Sequence, residues 1–428
     1  MTLALNHQQL LSGNKIYLYL TLGLFLGACS PKTIPVQKPT TQTQSPPTIP
    51  QKENPKTEKP KEEKPKVIKQ GRPEMVISMI LPFDLYNINY KTAGLNDLKK
   101  AEIAIDFYQG FKMGIDSVVN NRGKYNFKLQ VFDSKDDPAS LANLASRASI
   151  KNSDLIIGPV FPSGIKAFSV YSKLMKKPMV SPLAASDPII FNNPYLITVN
   201  NSLDQHAYTA AKFIKSDLSP KKVLIIRSGQ SDEYKYVNAF KKGMDSLAKG
   251  IRVSEIGIKA VGYANVFKSL SPVGLNVIVL PSTDRVFLIT LLTELDKLTS
   301  NFQIAIIGHP GWEKSNFLDN DLLERLNTYI TSSYQIEKDS YRSEDFVRNY
   351  HSKFQINPSE YAYKGFDLGY YFGNLMDNKG KDFIDNLTMN TFDGIHNDFH
   401  FVKNAKYGYA NTSLMVMKYQ FGKLEKVD

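Results

Sequence analysis

What most constrains this chain is an alternation that begins at Met75, in which short apolar runs are separated by longer segments with helical spacing. "MVISMILPF", "YNFKLQVFD", "SDLIIGPV" and "KPMVSPL" read as strands. Between them, "AEIAIDFYQGFKMGIDSVVNN" sets Ile103, Phe107, Phe111, Ile115 and Val118 three or four residues apart. That spacing predicts one apolar stripe on a helix. "PASLANLASRASI" and "SGIKAFSVYSKLM" read as helices in the same way. Strands joined by crossover helices run parallel, and parallel strands are covered on both faces, which is why the runs are apolar throughout.

A second series begins near residue 200. Helices are expected over "SLDQHAYTAAKFIKSDL", "YKYVNAFKKGMDSLAKG", "NVFKSLSP" and "DRVFLITLLTELDKL". Strands are expected over "KKVLIIRSG", "RVSEIGI", "LNVIVLPS" and "FQIAIIGH". "NTYITSSYQ" then reads as an edge strand, followed by a helix pair, "SEDFVRNYHSKF" and "SEYAYKGFDLGYYFGNLMDN". Two closing strands are expected, "DFHFVKN" and "TSLMVMKYQFGKLEKV". The fold class is α/β: two doubly wound parallel-sheet lobes joined by crossover hinges. Lobe one takes residues 74–200 plus about 336–396, and lobe two takes 201–335 plus about 397–428. Open α/β sheets bind ligands beyond the carboxyl ends of their strands, so two facing lobes predict a cleft.

The N-terminus is a different material. Lys15 precedes "IYLYLTLGLFLGAC", an apolar run suited to a signal-peptide core and too short to span a bilayer comfortably. Residues 1–29 therefore read as a lipoprotein signal peptide, ending in Leu26-Gly27-Ala28-Cys29. That ending resembles a bacterial lipobox, and Cys29 is the only cysteine of the chain. An ordinary secretory signal with a chance Cys is the alternative. Acylation at Cys29 would anchor the mature protein without spanning the membrane. Residues 30–73 are Pro, Lys, Thr, Gln and Glu with almost nothing to bury, which predicts a disordered tether. Residues 1–72 also hold eleven Lys and Arg against four Glu, so most of the formal net charge of +12 lies there. The folded part is only mildly basic, which argues against a nucleic-acid partner.

The order of elements and several motifs resemble the type I periplasmic binding proteins, the family of the leucine/isoleucine/valine receptors. "VFDSKDDPASLANLASRAS", "LIIGPVFPSG", "KPMVSPLAASDP", "EYAYKGFDLGYYFGNLM" and the terminal "FDG…FHFVKN…MVMKYQFGKLEKV" carry the likeness over residues 75–428. The resemblance implies a periplasmic solute-binding protein that closes on an amino acid or similar small polar ligand and delivers it to an ABC permease. By position it implies Ser163, Ala184 and Ser186 as the grip on a ligand carboxylate. Tyr234 and Asp284 would face the ligand from lobe two. Ser30 after Cys29 is not the residue associated with inner-membrane retention, so the likeness favours the outer membrane. A second branch of the same fold, outer-membrane lipoproteins that activate peptidoglycan synthases, supplies the alternative: an interaction protein without a small ligand.

Plainer readings stand beside these. Ser163 and Ser186 suit helix N-caps or turns, and Asp284 suits the cap of the helix that follows it. His396 and His400 are four apart, a metal-ligand spacing on a helix, but they lead into a strand with no third ligand in view. His309 and Trp312 sit at a strand end and are expected to line the cleft. The segment 84–102 is expected to hang over the cleft mouth. No nucleotide-binding or nucleophile-elbow motif occurs, so no enzyme, metal or cofactor is expected.

Overall fold

A computed structural model describes residues 71–427, apart from 90, 122, 136 and 337–339. The expected signal peptide, Cys29 and most of the expected tether lie outside the described residues. Lobe one is built on an eight-stranded sheet of order β11-β12-β13-β5-β4-β3-β1-β2. Its strands are β1 (Glu74–Leu81), β2 (Asn126–Asp133), β3 (Leu155–Ile157), β4 (Met179–Ser181), β5 (Leu196–Thr198), β11 (Thr391–Phe392), β12 (Phe399–Asn404) and β13 (Gly408–Asn411). Helices α1 (Leu95–Asn120), α2 (Pro138–Ser146) and α3 (Pro162–Met175) supply the crossovers. Lobe two is a seven-stranded sheet of order β15-β14-β10-β9-β8-β6-β7. It comprises β6 (Lys222–Arg227), β7 (Arg252–Gly257), β8 (Leu275–Leu280), β9 (Gln303–Gly308), β10 (Thr328–Ser332), β14 (Met415–Gln420) and β15 (Lys423–Lys426). Helices α4 (Leu203–Phe213), α5 (Glu233–Leu247) and α6 (Arg285–Asp296) belong to it. Helices α7 (Tyr341–Phe354) and α8 (Glu360–Lys379) then return to lobe one.

The parallel core is as the alternation predicts, with β1–β5 parallel in one sheet and β6–β10 in the other. The chain's end differs from expectation in three respects. Two hairpins, β12–β13 and β14–β15, stand where two strands were expected, because tight turns such as Phe421-Gly422 force antiparallel return. The crossover expected near residue 397 falls instead between Asn411 and Met415, since β13 pairs with β5 of lobe one and β14 with β10 of lobe two. For the same reason β10 is an interior strand, not an edge. Strand β5, three residues long, had no counterpart in the expected series.

Each lobe has its own core. In lobe one, Phe107 and Phe111 of α1 meet Leu368 and Phe372 of α8 over the face of β1, β3 and β5. Helices α1 and α8 touch backbone to backbone. A Cβ on Gly365 would lie 2.2 Å from Phe107 O, and one on Gly369 would lie 2.2 Å from Phe111 O. Strand β3 leads into Gly158, whose φ of +91° and closeness to Ile80 O admit no side chain. That turn sets Val160 to Pro162 at the mouth of the sheet. The segment before α1 starts against the edge strand β2, where the N–H groups of Phe83, Asp84 and Leu85 donate to the Asp133 carboxylate at 3.1, 3.1 and 2.9 Å.

Candidate functional site

A cavity of about 390 Å³ lies between the lobes, at the carboxyl ends of strands from both sheets. Lobe one contributes Val160–Pro162 after β3, Leu183–Ala185 after β4 and Asn200–Asn201 after β5. Lobe two contributes Glu313 and Lys314 from a short turn after β9, and Thr331–Tyr334 at the end of β10. Helix α8 brings Glu360, Tyr361 and Lys364 on its first turns.

The turn that carries Glu313 and Lys314 is anchored by a residue the sequence reading had placed in the cleft. Trp312 is 1 % exposed, and its indole N–H donates to Ser282 O at 2.8 Å. Its ring fills the space beside Gly308, so it belongs to the lobe-two core, and its two neighbours in sequence face the cavity instead. His309 lies outside the lining: its Nδ1 accepts from Gly311 N at 2.9 Å and its ring tilts against Tyr236.

Charges meet across the cleft. Lys314 of lobe two reaches Glu360 of lobe one at 3.0 Å, and Lys364 reaches the same carboxylate at 2.8 Å. Lys364 is nearly enclosed and lies over the Tyr334 ring, 4.6 Å from its centroid. Burial resists the Glu360 charge, but the two ammonium groups prevail and hold its carboxyl down at about 2. Burial lowers the Lys364 ammonium, against the pull of Glu360. Glu313 is different: burial pushes its carboxyl up, and the Ser332 hydroxyl lies 2.9 Å from its Oε2. That hydroxyl also lies 2.8 Å from Tyr334 O, so its one proton serves two acceptors.

His206 closes the hinge side. Its Nδ1 lies 2.9 Å from Thr331 Oγ1 and its Nε2 lies 3.1 Å from Ser333 Oγ. Burial holds it neutral, down at about 4. The unfolded chain takes this proton below pH 6.5 and the folded chain does not until about pH 4. His206 therefore contributes stability that is intact above pH 6.5 and is lost as the pH falls towards 4. The linkage is on the order of 3 kcal/mol. A His206→Gln protein should lose stability less steeply between pH 7 and 4 than the native protein, read by urea unfolding. Parallel slopes would show that His206 is not a buried neutral base.

The residues expected from sequence are mostly elsewhere. Ala184 lines the cavity and is 7 % exposed. Ser186 is two residues beyond it and outside the lining. Ser163 is an exposed residue of the first turn of α3, outside the lining. Tyr234 is half exposed, with the Arg227 guanidinium 4.3 Å from its ring centroid. Asp284 caps α6, accepting from Phe287 N at 2.8 Å. His396 is buried in the hinge with its ring stacked on Tyr334, while His400 is exposed on β12. Among the described residues no group of three His, Cys, Asp or Glu is placed to hold a metal ion. Sequence reasoning missed Asn200, Asn201, Glu313, Lys314, Glu360 and Lys364. The available signal was positional: the asparagines follow a short apolar run, "YLITVN", and the glutamate and lysine follow His309 and Trp312.

Residues 100–423 match the family model described as periplasmic binding protein. No curated protein sequence matches the chain. Among solved structures, an ABC-type branched-chain amino acid transporter protein from Rhodopseudomonas palustris is 17 % identical, with a TM-score of 0.59 over 83 % of this chain and 96 % of that one. An ABC transporter substrate-binding protein from Desulfitobacterium hafniense, in complex with Leu, is 14 % identical, with a TM-score of 0.54 over 83 % and 100 %. Another, from Sphaerobacter thermophilus, is 16 % identical with a TM-score of 0.54 over 83 % and 97 %. At these identities the structural likeness establishes the fold.

Proposed function

The chain belongs to the periplasmic binding protein family, and from that premise we propose that it is a lipid-anchored solute-binding protein whose cleft takes an amino acid or similar small polar ligand for an ABC-type importer. The observation that carries this reading is the interlobe cavity. Its volume of about 390 Å³ suits a small molecule, and polar groups from both lobes converge on it. Such a site grips a ligand by hinge closure and needs no bond chemistry, so the protein is read as a binding protein and not an enzyme. The open cavity also favours a receptor over a peptidoglycan-synthase activator, which would need no such space. Ala184 is retained as a ligand contact. Ser163, Ser186, Tyr234 and Asp284 would reach a ligand only after rearrangement.

Thermal shift against a panel of amino acids and related small polar compounds tests the reading. A ligand at ~100 times its dissociation constant adds about 2.7 kcal/mol of stability. No shift with any compound would sink the solute-binding role. Anchorage is read separately, by fractionating cells. Periplasmic placement follows from the family, and among the described residues no helix is long and apolar enough to cross a membrane. Cys29→Ala should move the protein from the membrane fraction, with the outer membrane expected, to the soluble periplasm. A variant that still sediments with membranes would end the lipoprotein reading.

A further inference from the structure

One ion pair joins the two lobes away from the hinge. Lys314 Nζ of lobe two lies 3.2 and 3.0 Å from Oε1 and Oε2 of Glu360 in lobe one. Bonds at the chain crossings are of another kind. There Asn201 Nδ2 donates to Asn411 O at 2.9 Å, and Asn397 Nδ2 donates to Ser333 O at 3.0 Å. A bond on a hinge barely lengthens when the lobes rotate, whereas a pair across the cleft is pulled apart. Ion pairs such as Arg227–Glu255 and Arg325–Asp296 lie within one lobe, and that rotation leaves them intact.

Each member of the Lys314–Glu360 pair is fixed to its own lobe. Glu360 opens α8, where the helix N-terminus favours a carboxylate, and Lys364 one turn on holds it at 2.8 Å. The backbone contact of Gly365 and Gly369 with α1 seats this end of α8 on lobe one. Lys314 follows Trp312, whose ring is buried in the lobe-two core. Only movement of one lobe against the other parts the pair. Opening strands no buried charge, because Glu360 keeps Lys364. Lys314 is 61 % exposed at the side chain, so its ammonium is already largely in water. We infer that Lys314 and Glu360 form a releasable latch that biases the unliganded cleft towards closure. A pair this exposed shifts the ratio of closed to open protein by about fivefold at most. Salt weakens it, since the Debye length falls from about 10 Å at 0.1 M to about 3 Å at 1 M. The proposal adds a control on the cleft and rests on the solute-binding reading for what closure serves.

The test reads lobe separation without any ligand. Dyes are placed at Val170→Cys on α3 and Val286→Cys on α6, both exposed, in the purified Cys29→Ala protein, and single-molecule energy transfer is measured. Lys314→Met is expected to lower the closed-to-open ratio about fivefold, and Lys314→Arg to keep it within about twofold of native. Raising NaCl from about 0.1 to about 1 M should lower the ratio in the native protein and leave Lys314→Met unmoved. The melting temperature of Lys314→Met should hold, because Lys364 still pairs with Glu360. An unchanged ratio in Lys314→Met, or an equal response to salt in both proteins, would overturn the latch. So would a single lobe separation common to every variant, which would show that packing holds the lobes. These outcomes leave the solute-binding reading standing, since the thermal-shift panel decides that separately.

Discussion

Replacing Gly369 with valine is expected to leave no folded lobe one. Helix α8 lies so close to α1 that even a Cβ at this position would sit 2.2 Å from Phe111 O. Gly365 has the same relation to Phe107 O, and on the facing helix a Cβ at Gly110 would lie 1.9 Å from Ala362 O. The obstacle in each case is backbone, which cannot rotate aside. Accommodating valine means separating the helices and losing the packing of Phe107, Phe111, Leu368 and Phe372. The cost should exceed about 4 kcal/mol, a large part of a domain's usual stability. Far-ultraviolet circular dichroism and urea titration would read it. Gly369→Ala makes the explanation falsifiable. Helix propensity alone would stabilise the alanine variant by about 1 kcal/mol, whereas the contact requires clear destabilisation. A stabilised alanine variant would refute the close approach.

The second large effect is expected at Glu360. Its carboxylate is the shared partner of Lys364, which is 7 % exposed at the side chain, and of Lys314 from the other lobe. Glu360→Gln would leave the enclosed Lys364 ammonium without its counter-charge. Losing one member of a buried pair costs about 3–5 kcal/mol. Removing both charges, in Glu360→Gln/Lys364→Met, should recover at least half of that loss, because no unpaired charge is then buried. Failure of the double variant to recover would show that the pair contributes packing and not charge balance. The pH dependence has a definite sign. The folded carboxyl sits at about 2, below its ordinary 4.5. Its contribution is therefore complete above pH 4.5 and is lost as the pH falls from 4.5 towards 2. Glu360→Gln should be flatter than the native protein over that window.

The two sheets were legible because their signal is local. Continuous runs such as "MVISMIL" and "LNVIVL" and the four-residue spacing from Ile103 to Ile115 each specify an element and its buried face. The chain's end was harder to assign. Nothing in "DFHFVKN" says whether it pairs with β13 or crosses to lobe two, since a strand's partner is set by the chain's path in space. Gly110, Gly114, Gly365 and Gly369 were visible as letters, but their meaning required knowing that the two helices face each other.

The site divides in the same way. The sequence determined that a cleft should exist beyond the strand ends, and that small residues around Ala184 should border it. Tertiary structure decided which side chains fill that border. Glu313 and Lys314 reach the cavity because Trp312 turns inward between Gly308 and Ser282 O. Glu360 and Lys364 reach it because the glycine contact with α1 fixes the position of α8. A strand or a helix is written in neighbouring residues, whereas a binding site is a balance of donors, acceptors and charges drawn from distant segments. That balance is fixed only when packing brings those segments together.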